Sequence, residues 1–257
     1  MVAQRYCLMQ LQKRIKLMQE IELNEALSRA LSDEGGGIGR LSEKYIHRAL
    51  KFYFEPNEKY HEIAYLGSVA DIKNSAGITE IQTRGFEYLV PKLEKFLKQD
   101  KVTLVCPLVK IKHITTVNQD GEVISRKKSP MQKGLSDIAI ELYKIKDYIL
   151  EGNIEIKIVF LKAEAERVLI GSLTKKKYKK GRVYPTGILE IITLKDIEDF
   201  RIFLPDTLPE KFLRSEYNKA IKARAKFSYY ALKLCEHLGF VKQTGKQGNA
   251  FVYEKCK

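Results

Sequence analysis

Residues 67–84 contain two short segments in which apolar and polar side chains alternate, and the turn-forming residues 73–77 separate these segments. Alternation with a period of two around such a turn predicts a β-hairpin. Since side chains alternate faces along a strand, Glu80 and Gln82 should share one face, and pairing about the turn can place Asp71 across from them. Two carboxylates that converge on one point of a sheet offer hard oxygen ligands for Mg²⁺, which suits metal-assisted phosphodiester hydrolysis.

The segments on either side of the hairpin predict an α/β fold. We expect helices over residues 1–33, 41–54, 86–99 and 135–149, and strands over residues 59–66, 102–108 and 154–161. Pro91 lies inside the third of these helices and is its weak point, because proline removes a helical hydrogen bond. The resulting order, α-β-β-β-α-β, indicates an α/β core with a mixed sheet.

The two acidic residues of the hairpin stand in short motifs. Asp71 follows Val-Ala, and Glu80 begins the run Glu-Ile-Gln. In these motifs the hairpin resembles the PD-(D/E)XK nuclease superfamily, with alanine in place of the usual proline and Gln82 in place of the usual lysine. An E-x-Q element of this kind is similar to that of competence-protein CoiA-like nucleases. The resemblance covers roughly residues 40–110, and the strand over residues 154–161 would complete a restriction-endonuclease-like sheet.

The resemblance implies a metal-dependent endonuclease that acts on DNA. Asp71 and Glu80 would bind Mg²⁺ (or Mn²⁺), helped by the main-chain carbonyl of Ile81. The glutamate of the family's first helix corresponds to Glu43, which would act through water. The family's lysine supplies positive charge and orients the attacking water, whereas Gln82 can orient water by hydrogen bonding and brings no charge. Three basic residues are candidates to supply that charge: Lys51, Lys73 and Arg84.

The chain carries a net charge of +14 and has a pI near 9.4. Such a charge fits a polyanionic partner, most simply nucleic acid, and it fits equally a Lys-rich proteome in which the charge has no partner. Six of the nine residues 174–182 are basic. We expect a flexible loop there that contacts phosphates, the alternative being a solvated loop that touches nothing. The nucleic-acid contacts predicted in the core and in this loop are Lys51, Lys73, Arg84, Lys175, Lys176, Lys177, Lys179, Lys180 and Arg182.

Residues 193–257 have the pattern of a separate small domain. Helical patterns cover residues 194–203, 209–223 and 225–238, and Gly239 and a hairpin over residues 240–253 follow them. Three helices followed by a β-wing resemble a winged helix-turn-helix, in which residues 227–234 would form the recognition helix. This domain would hold DNA or, alternatively, serve as a packing or dimerisation module. Its predicted DNA contacts are Lys222, Arg224, Lys226 and Lys246.

The sequence thus predicts three segments: an N-terminal helical segment (1–39), a nuclease-like domain (40–192) and a winged helix (193–257). No apolar run is long enough to span a membrane, and scattered cysteines without CxxC spacing fit a reducing cytoplasm. The predicted function is a Mg²⁺-dependent endodeoxyribonuclease, for which cutting both strands would call for a homodimer. The alternatives are a DNA-binding regulator with an inactive nuclease fold and an interaction protein whose winged helix binds another protein.

Overall fold

The computed structural model describes residues 18–32, 42–171 and 177–256, with side chains from Tyr45 onward in the second range. It is a mixed α/β structure. The helices are α1 (residues 18–32), α2 (Ser42–Phe54), α3 (Val90–Phe96), α4 (Ala139–Lys144), α5 (Lys146–Leu150), α6 (Arg214–Ile221) and α7 (Ala225–His237). The strands are β1 (His61–Tyr65), β2 (Ser68–Asn74), β3 (Gly77–Ile81), β4 (Val102–Val117), β5 (Val123–Lys128), β6 (Ile154–Leu169), β7 (Tyr178–Leu194), β8 (Lys211–Leu213), β9 (Val241–Gln247) and β10 (Ala250–Lys255).

The strands form two sheets. The large sheet has the order β1-β2-β3-β4-β6-β7, with β5 paired to β4, and the small sheet has the order β8-β10-β9. The chain divides into two compact units: the first unit is Met1–Ile63, Val109–Gln132 and Val159–Ile191, and the second unit is Ala64–Leu108, Lys133–Ile158 and Ile192–Lys257. The long strands β4, β6 and β7 each contribute residues to both units. The three-segment division drawn from the sequence stays a prediction.

None of the helices within the described ranges combines the length and the apolar character that crossing a membrane demands.

The predicted hairpin is confirmed as β2 and β3, which pair antiparallel with Asn74 opposite Gly77. The side-chain oxygen of Asn74 accepts a hydrogen bond from the N–H of Ala76 (2.9 Å), a local bond that favours asparagine in turns. Gly77 has a φ of +122°, and a Cβ atom there would lie 2.5 Å from the carbonyl oxygen of Lys101. Glycine is therefore required at this position, and it helps to fix the register of the hairpin.

We expect Gly77→Ala to lower the free energy of unfolding by about 2 kcal/mol or more, because the added methyl group clashes with the Lys101 carbonyl in a strained backbone conformation. Gly248→Ala, in the turn between β9 and β10, is the matched control. Its φ is also positive (+61°), but no atom lies within 4 Å of the added Cβ. The control should therefore cost only about 1 kcal/mol. Urea unfolding followed by circular dichroism measures both, and equal costs would contradict the role given to Lys101.

Strands β3 and β4 pair in parallel, with Glu80 opposite Leu104. Parallel neighbours need a crossover connection, which α3 supplies here. The helix predicted over residues 86–99 is shorter than expected, since α3 begins only at Val90 and a 3₁₀ turn precedes it. Pro91 explains the difference: without an N–H it fits the first turn of a helix and not the interior.

The flexible loop predicted over residues 174–182 is wrong for its second half. Residues 178–182 form the beginning of β7, and residues 174–176 lie outside the described residues. The N–H of Ile170 donates to the carbonyl of Lys177 (2.9 Å), so β7 pairs with β6 from its start. This pairing outweighs the weak β-propensity of a Lys-rich segment.

In the second unit, β8 pairs with β10, and α6 and α7 lie between these strands in the chain. The fully buried Tyr217 of α6 donates its hydroxyl proton to the carbonyl oxygen of Phe203 (2.7 Å). The helix predicted over residues 209–223 is wrong at its start, because Phe212 pairs with Tyr253 of β10 and extends the chain as β8. The helix predicted over residues 194–203 is a 3₁₀ helix, while the helix over residues 225–238 and the following hairpin are confirmed as α7, β9 and β10.

Candidate active site

Asp71 and Glu80 lie side by side on the paired strands β2 and β3. The main-chain N–H of Asp71 donates to Oε1 of Glu80 (3.3 Å), and the N–H of Ile81 donates to Oδ2 of Asp71 (2.8 Å). Each carboxylate therefore receives a hydrogen bond from the main chain of the other's strand, which restricts its rotation. The hairpin register brings together the two acidic residues that the sequence singles out.

The carboxylates of this pair repel each other, because Glu80 is buried beside the charge of Asp71. Glu80 is 2% exposed, and Asp71 is half-buried. Burial and the neighbouring charge of Asp71 raise the pKa of Glu80 to about 7, although hydrogen bonds from Lys92 and from the Asp71 N–H act in the opposite direction. Burial keeps water from screening the two negative charges. A bound cation would relieve their repulsion, so the pair favours either a cation or a proton.

Lys92 forms an ion pair with Glu80, and it was not among the residues predicted from the sequence. Its Nζ lies 2.9 Å from Oε2 of Glu80, and its side chain is 30% exposed. The sequence did contain a signal for Lys92. Leu89, Leu93 and Phe96 form the buried apolar stripe of this helix, and Lys92 lies within that stripe, three residues after Leu89. A lysine in the buried stripe of an amphipathic helix indicates an acidic partner beneath the helix.

Gln82 follows β3 directly and is half-buried. Its main-chain N–H donates to the carbonyl of Val105 (2.9 Å), and its side-chain Nε2 donates to the carbonyl of Arg84 (2.7 Å). The side chain is therefore held by the segment that follows the strand. It does not supply the positive charge that lysine supplies in the family pattern.

The other residues predicted around the pair have different surroundings. Lys73 forms an ion pair with Asp100 (3.3 Å) and lies 4.1 Å from the centre of the Tyr65 ring. Lys51 belongs to the first unit, where it forms an ion pair with Glu62. Arg84 is exposed. Glu43 lies on α2, and its side chain is outside the described residues.

The basic residues predicted to contact DNA differ in their surroundings. In the second unit, Arg224 forms an ion pair with Asp137 (2.7 Å) and lies over the ring of Phe227 (4.5 Å). The centres of the Tyr230 ring of α7 and the Tyr143 ring of α4 are 5.5 Å apart, so one face of the predicted recognition helix packs against α4. The exposed members are Arg84, Lys177, Lys179, Lys180, Arg182, Lys222, Arg224, Lys226 and Lys246, while Lys175 and Lys176 lie outside the described residues.

The donor atoms of the pair suit a hard divalent cation. Carboxylate oxygens such as those of Asp71 and Glu80 are among the ligands that Mg²⁺ prefers in proteins. The carbonyl of Ile81, next in the chain, is a third oxygen donor of the kind that Mg²⁺ accepts. Among the residues with described side chains, no group of three or more His, Cys, Asp or Glu forms a metal cluster. A metal ion held by Asp71, Glu80 and the Ile81 carbonyl would need further ligands from water or substrate.

Comparison with known proteins gives the following matches. The family described as "Domain of unknown function (DUF8091)" matches residues 44–197, a segment that contains the hairpin and Lys92. A protein of Treponema pallidum (strain Nichols), described as an uncharacterized protein, is 29% identical over 225 residues, which cover 85% of this chain and 87% of that protein. No solved structure matches the chain significantly.

Proposed function

We propose that this chain, which belongs to the family described as "Domain of unknown function (DUF8091)", is a metal-dependent endonuclease that hydrolyses DNA. The observation that carries the proposal is the pair of Asp71 and Glu80, held on adjacent strands of one hairpin with Lys92 donating to the buried carboxylate. Two fixed carboxylates beside a lysine suit the chemistry of a divalent metal and a phosphodiester.

The order of the elements supports a PD-(D/E)XK core. From α2 to β4 the chain follows the order α-β-β-β-α-β that the family resemblance implies. Strands β2 and β3 are antiparallel, β4 is parallel to β3, and α3 connects them. Asp71 and Glu80 lie on the second and third strands, where the resemblance places the metal ligands.

In this proposal Asp71, Glu80 and the Ile81 carbonyl hold Mg²⁺, which when bound polarises the scissile phosphate and lowers the pKa of the attacking water. Lys92 places positive charge where negative charge develops on the phosphate, a role that the neutral amide of Gln82 cannot fill. The main-chain hydrogen bonds to both carboxylates hold them in place before substrate binds. Gln82 donates from Nε2 to the Arg84 carbonyl, and its Oε1 can still accept a hydrogen bond from the water.

We also propose that the C-terminal residues form a winged helix that holds DNA. The order β8-α6-α7-β9-β10, with β8 and β9 on either side of β10, supports this fold. Because Asp137 engages Arg224, the phosphate contacts would come from Lys222, Lys226 and Lys246, which are exposed. The proposal includes a cytoplasmic location, with which the free thiols of Cys106 and Cys235 agree.

A DNA-binding regulator with an inactive nuclease fold is the second candidate. The ion pair between Lys92 and Glu80 favours it, because it neutralises the buried carboxylate without a metal. A pair held in this way could persist as a structural remnant in a protein that binds DNA without cutting it.

Plasmid nicking separates the two candidates. Supercoiled plasmid is incubated with the purified protein in Mg²⁺, in Mn²⁺ and in EDTA, and with Asp71→Ala as the inactive variant. If the protein is an endonuclease, we expect nicking in either metal and none in EDTA. The nicking rate of Asp71→Ala should be at least about 1,000-fold lower than that of the wild type. Salt-dependent binding of DNA without nicking in any metal would replace the endonuclease with the regulator.

A further inference from the structure

We infer that the large sheet carries a second DNA-binding surface in the first unit, an inference that rests on the proposed function. There β5 pairs with the second half of β4, whereas β3 pairs with the first half. Strands β6 and β7 follow on the other side of β4. We call this four-stranded part, residues 109–128, 159–169 and 178–191, the strand extension.

The strand extension is basic even for this chain. It contains ten Lys and Arg residues against five Asp and Glu residues. Segments with such an excess attract polyanions, provided that the cations face solvent and are not neutralised by neighbouring carboxylates.

The register separates the charges between the two faces. Lys110 and Lys112 on β4 share a face with Lys127 on β5. Thr116 lies on the same face, and its hydroxyl accepts a hydrogen bond from Nε of Arg167 on β6 (2.9 Å). Four cations from three neighbouring strands therefore lie on one face of the strand extension.

Strand β7 adds to this face. The guanidinium group of Arg167 lies 3.9 Å from the centre of the Tyr178 ring, and Lys180 points to the same side of β7 as Tyr178. Arg182, two residues further, lies over the ring of Tyr45 of α2 at 5.9 Å, so the open part of the face ends near Lys180. We call the set Lys110, Lys112, Lys127, Arg167 and Lys180 the basic face.

One of the five acidic residues, Glu164, is neutralised on the opposite face. Glu164 accepts two hydrogen bonds from Arg126 (3.1 and 3.0 Å) and one from Thr115, which is the neighbour of Thr116 and points the other way. On the basic face, Lys110, Lys127 and Lys180 are exposed and Lys112 is half-buried, and Nζ of Lys110 lies 4.9 Å from the centre of the Phe160 ring. Among the described residues, none of these four lysines lies within ion-pair distance of a carboxylate.

The partner that fits the basic face is the phosphate backbone of DNA. Its cations come from neighbouring strands of one sheet, which suits contacts to an extended row of phosphates. Arg167 is already held by Thr116 and Tyr178, so it loses little conformational freedom when it binds. These contacts are independent of base sequence, so the surface should hold DNA without selecting a site.

The test is the salt dependence of DNA binding, measured in EDTA by fluorescence anisotropy with a labelled duplex. The variant Lys110→Gln/Lys112→Gln/Lys127→Gln/Lys180→Gln should reduce the slope of log K against log salt by about 3 to 4, since each phosphate contact contributes about 0.9. Its Kd at low salt should rise at least about 10-fold. The matched control, Lys98→Gln/Lys101→Gln/Lys195→Gln/Lys211→Gln, removes the same charge from the second unit and should change the slope by less than about 1.

Equal changes of the salt slope in the two variants would overturn the inference, because the loss of net charge alone would then explain both changes. Binding of the wild type to anionic phospholipid vesicles, lost in the first variant while the DNA slope stays unchanged, would assign the basic face to a membrane surface and also overturn it. Thermal melting verifies that each variant folds, and Lys180→Gln alone should still reduce the slope by about 1. If the slope falls in the first variant but the wild type never nicks plasmid, the basic face is supported and the nuclease is rejected. If the wild type nicks plasmid but the slope is unchanged in the first variant, the nuclease is supported and the basic face is rejected.

Discussion

Lys92→Met should reduce the rate of plasmid nicking by at least about 100-fold, the loss typical of removing one charged group that stabilises a transition state. Methionine keeps most of the side-chain length and removes the charge that lies 2.9 Å from Glu80. Gln82, which stands where the family resemblance implies lysine, is neutral and does not replace this charge. Rates under single-turnover conditions, with Mg²⁺ at saturation, measure the effect without interference from product release.

Lys95→Met is the matched control for Lys92→Met. Lys95 lies on the same helix, is exposed, and donates to the hydroxyl of Ser68 (3.3 Å) rather than to a carboxylate. Its replacement should change the nicking rate by less than about 3-fold, the scale of an exposed substitution. Lys92→Arg should keep part of the activity if charge is what matters. Equal rates in Lys92→Met and the wild type, with Asp71→Ala inactive, would limit Lys92 to a structural role.

Glu80→Gln should change how stability depends on pH. The pKa of Glu80 is raised from 4.5 to about 7 by burial and by the charge of Asp71. Between these values the folded state holds a proton that the unfolded state has lost, so wild-type stability should fall as pH rises from 4.5 to 7. The contribution is about 3 kcal/mol in total. Glutamine does not titrate. As pH rises from 4.5 to 7, the free energy of unfolding of the variant should therefore increase by this amount relative to the wild type, measured by urea unfolding in EDTA.

Asp71→Asn tests the cause of this pH dependence. It removes the repelling charge and leaves Glu80 buried, while an asparagine oxygen can still accept the hydrogen bond from Ile81. Burial is the larger cause, so Asp71→Asn should keep more than half of the pH-dependent difference from Glu80→Gln. Parallel stability curves for the wild type and Glu80→Gln would show that Glu80 is ionised throughout the range, and the electrostatic account of the pair would be wrong.

The hairpin and the C-terminal elements were predictable because their signals are local. Asn74 and Gly77 form a turn with the residues between them, and the period of two on either side sets which side chains share a face. Gly239, which follows α7 with a φ of +78°, is a similar local signal for the end of a helix. The error over residues 209–223 has the opposite origin, since β8 forms through pairing with β10, about forty residues further along the chain.

The sequence by itself determined that Asp71 and Glu80 would meet, because alternation and the turn are properties of adjacent residues. Only the tertiary structure decided that Lys92 lies beside Glu80, since α3 carries Lys92 there on the way across to β4. The raised pKa of Glu80 likewise depends on burial, which no local pattern contains. The same holds for the basic face, because its lysines come from three strands whose charges add only after the strands pair.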